Sequence, residues 1–172
     1  MKKQIVLILV MAMAFTQNIF AQNASDQSFN SVITAYINLK NALAADDNGK
    51  ARDAAIDLYK AIDKMPADKF SKNNRSTWSK FEKKLSYDAE HIMESSDLEH
   101  QRGHFISLSK NIYAVAKAFN VNTSKLYYQF CPMADGGKGA YWLSETDKIH
   151  NPYFGKKMPS CGSTKETLYP PN

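Results

Sequence analysis

Two short sulfur-bearing clusters stand out, Cys131-Pro132-Met133 and Met158-Pro159-Ser160-Cys161. They contain both cysteines of the chain, and each cysteine has a methionine two or three residues away. Thiolate and thioether sulfur select Cu(I) and other soft ions, whereas oxygen donors suit Mg and Ca. The segment between them, within residues 126–162, is rich in Gly, Pro and aromatic residues, so its backbone can turn and bring the clusters to one place. His104 lies four residues after His100, a spacing that puts two imidazoles on one helical face. The candidate metal ligands are therefore Cys131, Met133, Met158, Cys161 and His104, and the candidate ion is copper(I) or silver(I).

Each of these residues has a plainer reading. Two cysteines in an exported chain pair as a disulfide, and methionines fill gaps in cores. A histidine at the edge of an apolar stripe is commonly hydrogen-bonded to a neighbour. His91 and His150 have nothing close in sequence to recruit them. Gly136-Gly137-Lys138-Gly139 lacks the spacing of a phosphate-binding loop. Pro132 directly after Cys131, with no His–Asn pair set by sequence, argues against a cysteine nucleophile. The reading is a non-enzymatic protein.

The chain opens with Lys2-Lys3, an apolar run from Ile5 to Phe15, and Ile19-Phe20-Ala21 before Gln22. That is the form of a signal peptide over 1–21, which implies a periplasmic or secreted protein with no membrane insertion after cleavage. Of the formal charge of +5, two units belong to Lys2 and Lys3, leaving +3 on residues 22–172. Lys and Arg alternate with Asp and Glu instead of clustering, which excludes a nucleic-acid footprint.

The elements that must position the sulfurs are helical. Phe29, Val32, Tyr36, Leu39 and Leu43 recur at spacings of 3 and 4, and Asp46-Asp47-Asn48-Gly49 ends that helix as a turn, preferred here over a calcium loop. Ala51, Ala54, Leu58, Ile62 and Met65 form a second stripe that Pro66 closes. Ala67 to Arg75 reads as a connector, with Ser76 capping a third helix through Trp78, Phe81, Leu85, Ala89 and Ile92. Ser96-Asp97-Leu98-Glu99 has capping-box form before a fourth stripe, Leu98, Gln101, Phe105, Leu108, Ile112, Val115 and Phe119. Gln101 sits in a core-facing slot, so Gln101 and Arg102 are expected to anchor the C-terminal segment.

After Asn120 the helical period stops. Lys125–Phe130 and Gly139–Leu143 are short aromatic runs suited to a hairpin or extended packing, and Ser163-Thr164-Lys165-Glu166 suggests a closing helical turn. The expected fold is mainly α: a single domain over 22–172, an antiparallel four-helix bundle with an irregular C-terminal segment containing short extended strands. Cys131 and Cys161 are expected within disulfide range, with Met133, Met158 and His104 beside them.

CPMADGGKGAYWLS, IHNPYFG and the M-x-x-CG ending at Gly162 resemble an uncharacterised exported bacterial family labelled a domain of unknown function. YINLKNALAADD and HQRGHFISLS carry the same resemblance. That family occurs alone behind a signal peptide and fused to CusB-like adaptor subunits of copper and silver efflux pumps. The resemblance implies soft-metal handling in the periplasm and an efflux adaptor as partner. Its motif residues here are Gln101, Arg102, His104, Cys131, Met133, Lys138, Trp142, Asn151, Met158 and Cys161. A non-catalytic, disulfide-stapled interaction domain of the cell envelope is the alternative.

Overall fold

The computed structural model describes residues 27–120 and 122–171. The signal peptide read over 1–21 lies outside them. None of the described helices is long and apolar enough to cross a membrane.

Four α-helices come first: α1 (residues 27–44), α2 (Asn48–Asp63), α3 (Lys72–Glu94) and α4 (Leu98–Phe119). Each buries the stripe that its 3/4 spacing marks, and the stripes merge into one core. The start of α1 meets the end of α4 through Phe29 and Phe119, whose ring centroids are 5.2 Å apart. Halfway along, Tyr36 stacks on Phe105 at 5.3 Å, and its hydroxyl shares a 2.8 Å hydrogen bond with Ser109. These pairs run in opposite order along the two helices, which makes them antiparallel.

The turn after α1 is tight. Asp46 has φ 58°, and the Asp47 carboxylate caps α2 by accepting the Lys50 N–H at 2.9 Å. The acidic cluster there is turn and cap chemistry. The third helix starts earlier than expected: Ser71, not Ser76, is its cap, accepting the Asn74 N–H at 3.2 Å. Asn73 and Asn74 look like turn residues, yet they fill an exposed first turn that Ser71 supports. Arg75 then ties this end down by donating to the carbonyls of Ala67, at 3.0 Å, and Asp68. At α4 the cap is Asp97 and not Ser96; its carboxylate accepts the Glu99 N–H at 2.8 Å.

A three-stranded antiparallel sheet follows, in the order β2-β1-β3, from β1 (Leu126–Cys131), β2 (Ala140–Ser144) and β3 (Ser163–Leu168). The aromatic runs pair as a hairpin, with Gln129 opposite Trp142 and Cys131 opposite Ala140. Ser163 to Glu166 is strand rather than a helical turn, because the free edge of β1 offers a ladder that an isolated turn lacks. Glu166 also takes the Tyr113 hydroxyl at 2.5 Å and the Lys117 ammonium at 2.9 Å, which fastens β3 to α4. Tyr128 stacks on Tyr113 with 3.6 Å between centroids, and the Leu143 N–H donates to Tyr36 Oη at 3.0 Å. The sheet thus lies across α1 and α4. At its end a buried Lys40 donates to Glu145 at 2.8 Å. The expected class, mainly α with four helices and short C-terminal strands, is the observed one.

Candidate functional site

Residues 145–162 fold back over the sheet, and a small set of buried polar groups holds them. Gln129, fully buried on β1, donates to the carbonyls of Thr146 at 3.0 Å and Asp147 at 3.1 Å. Asn151, also fully buried, donates to the Cys161 carbonyl at 2.7 Å and accepts the N–H groups of Tyr153 and Phe154. Trp142 lies beneath. A Cβ built at Gly162 would come within 2.9 Å of the Trp142 ring and 3.0 Å of the Phe130 carbonyl, and φ there is 144°. Only glycine lets the chain carrying Cys161 approach so closely.

Arg102 fixes the far side of this loop. Its guanidinium donates to the carbonyls of Pro152 and Leu43, both at 2.8 Å, and to Asp46 Oδ1 at 2.5 Å. Asp46 Oδ2 accepts the Lys156 N–H at 3.0 Å. Arg102 is therefore an anchor of the C-terminal segment. Gln101 is not: its amide donates to the carbonyls of Ser95, Ile92 and Asn48, which closes the α3–α4 turn against the start of α2. Its slot faces the neighbouring helix ends, one position round from the loop.

The Arg102 hydrogen bond, with help from the Lys156 N–H, holds the Asp46 carboxyl below the usual carboxylate range. A depressed acid stabilises the fold fully above its unfolded pKa, near 3.9, and that stability is lost as pH falls through the lower folded value. Asp46→Asn should therefore flatten the acid limb of the stability profile below about pH 4. Chemical denaturation at a series of acidic pH values measures this, and an unchanged acid limb contradicts the anchor.

Within this frame Cys131 and Cys161 meet, with their Sγ atoms 2.7 Å apart. Cys131 is fully buried in the β1–β2 ladder, and Cys161 is half-buried on a turn after Met158. The Cys161 thiol is pushed up in pKa, chiefly by its hydrogen bond with Cys131, against a smaller opposing pull from the Met133 backbone. Met133 is 54% exposed and borders a cleft with Gly103, Ile106 and Phe154. Met158 is half-buried, and its carbonyl accepts the Cys161 N–H at 3.3 Å.

His104 does not join the sulfurs. Its ring turns to α3, where it stacks on His91 at 4.6 Å with 5° between the planes, and lies 4.8 Å from His100. Among the described residues the group of three His, Cys, Asp or Glu side chains that could share an ion is His91, His100 and His104, with ligand atoms within 4.8 Å of one another. His91 carried no signal within its own helix. The signal lay across the turn: His91 and His100, and likewise Asp88 and His104, fall almost symmetrically about Ser96, so an antiparallel hairpin must bring each pair together.

No curated protein and no solved structure matches the chain. Residues 32–124, more than half of the chain and most of the helical bundle, match a family described as Protein of unknown function (DUF3347). The chain belongs to that family.

Proposed function

We propose that this is an exported, non-catalytic protein that binds copper(I) or silver(I) in the cell envelope, with Cys131 and Cys161 as the primary ligands. The observation that carries this reading is the meeting of the two thiols at 2.7 Å on a half-buried turn. Cys131 is fixed by its strand, whereas Cys161 sits on the turn and is the arm that moves. Metal–thiolate bonds of about 2.3 Å hold two sulfurs up to about 4.6 Å apart, so the ion enters as Cys161 swings outward. Met133, exposed next to Cys131, and Met158 supply thioether sulfur to the opened pair. The resemblance of the C-terminal motifs to domains fused to efflux adaptors supports such an adaptor as the partner that receives or delivers the ion.

The same contact supports a second reading for the oxidised protein: a disulfide that staples the 145–162 loop to β1, making an interaction domain of the envelope. Oxidation state separates the two. The reduced protein should compete with a Cu(I) chelator and the oxidised protein should not. Met133→Leu with Met158→Leu should weaken binding without lowering the melting temperature. A reduced wild-type protein that leaves the chelator fully loaded excludes the metal reading.

A further inference from the structure

We infer that the α3–α4 hairpin carries a second, independent metal site, formed by His91, His100 and His104 and suited to Cu(II) or Zn(II). The case starts from the helix geometry. His91 stands in the last turn of α3, and His100 and His104 face it from the first two turns of α4, with only Ser95 to Asp97 between the helices. Their ligand atoms lie within 4.8 Å of one another. Nitrogens bound to one tetrahedral ion at about 2.0–2.1 Å stand roughly 3.3–3.4 Å apart. His91 and His104 are half-buried and His100 is exposed, so the rings have room to rotate toward that separation.

The second observation is Asp88. It is 4% exposed, and among the described residues its one ion-pair partner is His104. Oδ1 lies 3.2 Å from His104 Nδ1, and Oδ2 accepts the Ser107 hydroxyl at 2.8 Å. A carboxylate only accepts, so Nδ1 of His104 is the donor in this contact and Nε2 is the ring nitrogen left for an ion. A carboxylate behind a ligating histidine is the usual outer partner of a metal-bound imidazole; it fixes the ring and makes it more basic. A bound cation would also compensate a buried carboxylate that has neither lysine nor arginine as partner.

The donor set names the class of ion. Three imidazoles suit Zn, Cu and Ni and give little to Mg or Ca. Tyr87 covers the His91 and His104 side, with ring centroids 4.2 Å and 5.8 Å away, whereas His100 is exposed, so the position on the His100 side stays open to solvent. Three protein ligands with an open fourth position describe a site that exchanges its ion or takes an outside ligand, unlike a closed structural site.

The test uses the mature, tag-free chain with Cys131 and Cys161 oxidised, so that no thiolate takes part, titrated with CuSO4 or ZnCl2. One ion per chain is expected, and the Cu(II) electron paramagnetic resonance spectrum should show coupling to imidazole nitrogen. Asp88→Asn should weaken binding 10- to 100-fold. His100→Ala, an exposed position that leaves the core intact, should weaken it by more than Asp88→Asn, with an unchanged circular dichroism spectrum. Wild-type binding no tighter than that of His91→Ala/His100→Ala, or a spectrum without imidazole coupling, overturns the site. The result stands apart from the thiol reading, because the oxidised protein has no thiolate to offer.

Discussion

Trp142→Ala should destabilise the protein by about 3–5 kcal/mol, the usual cost of emptying a large aromatic site in a core. Trp142 is fully buried, crosses Tyr153 edge-on at 5.8 Å between centroids, and forms the surface on which Gly162 rests. Its removal withdraws the floor from the loop that brings Cys161 to Cys131. Against a total stability of about 5–15 kcal/mol such a loss leaves a protein close to unfolding at moderate temperature. The indole N–H has no hydrogen-bond partner among the described residues, so Trp142→Phe loses volume without stranding a polar group and should cost clearly less. Urea denaturation followed by circular dichroism measures both. A loss under about 1 kcal/mol for the alanine variant contradicts the role given to Trp142.

Reduction of the oxidised protein should lower stability by about 3–4 kcal/mol, the loop-closure value for two cysteines 30 positions apart. For a domain of this size each kcal/mol moves the melting temperature by about 2–4 °C, so a drop of roughly 10 °C is expected. Cys161→Ala should melt with the reduced wild type and should not respond to reductant. Identical melting of oxidised and reduced wild type contradicts a disulfide between Cys131 and Cys161.

The helices were legible because a helix that buries one face must repeat its apolar residues every three or four positions, and α1 to α4 do so. Their ends were less legible, because a cap is a local choice among several small polar residues; Ser71 and Ser76 both qualify, and only the exposed first turn of α3 decides between them. The strand at Ser163 was misread because its partner, β1, lies far away in sequence, and pairing outweighed a local capping pattern. For the thiols, chain chemistry was enough: Pro, Gly and two cysteines pointed to a meeting, and they meet. The histidines needed one further step, the mirror symmetry of a helical hairpin, without which His91 looked solitary and His104 looked like a neighbour of the sulfurs. Arg102 was readable as an anchor, whereas Gln101, one position earlier, turned to the helix ends, since 100° of helix rotation separates adjacent side chains.

A soft ion held by Cys131 and Cys161 would have sulfur as its nearest neighbours. Copper K-edge X-ray absorption on the reduced protein, loaded anaerobically with one equivalent of Cu(I) and desalted, tests it most directly. A first shell dominated by sulfur is predicted, retained in His91→Ala/His100→Ala and lost in Cys131→Ser/Cys161→Ser. A first shell of nitrogen alone, or a protein that keeps no copper through desalting, contradicts it.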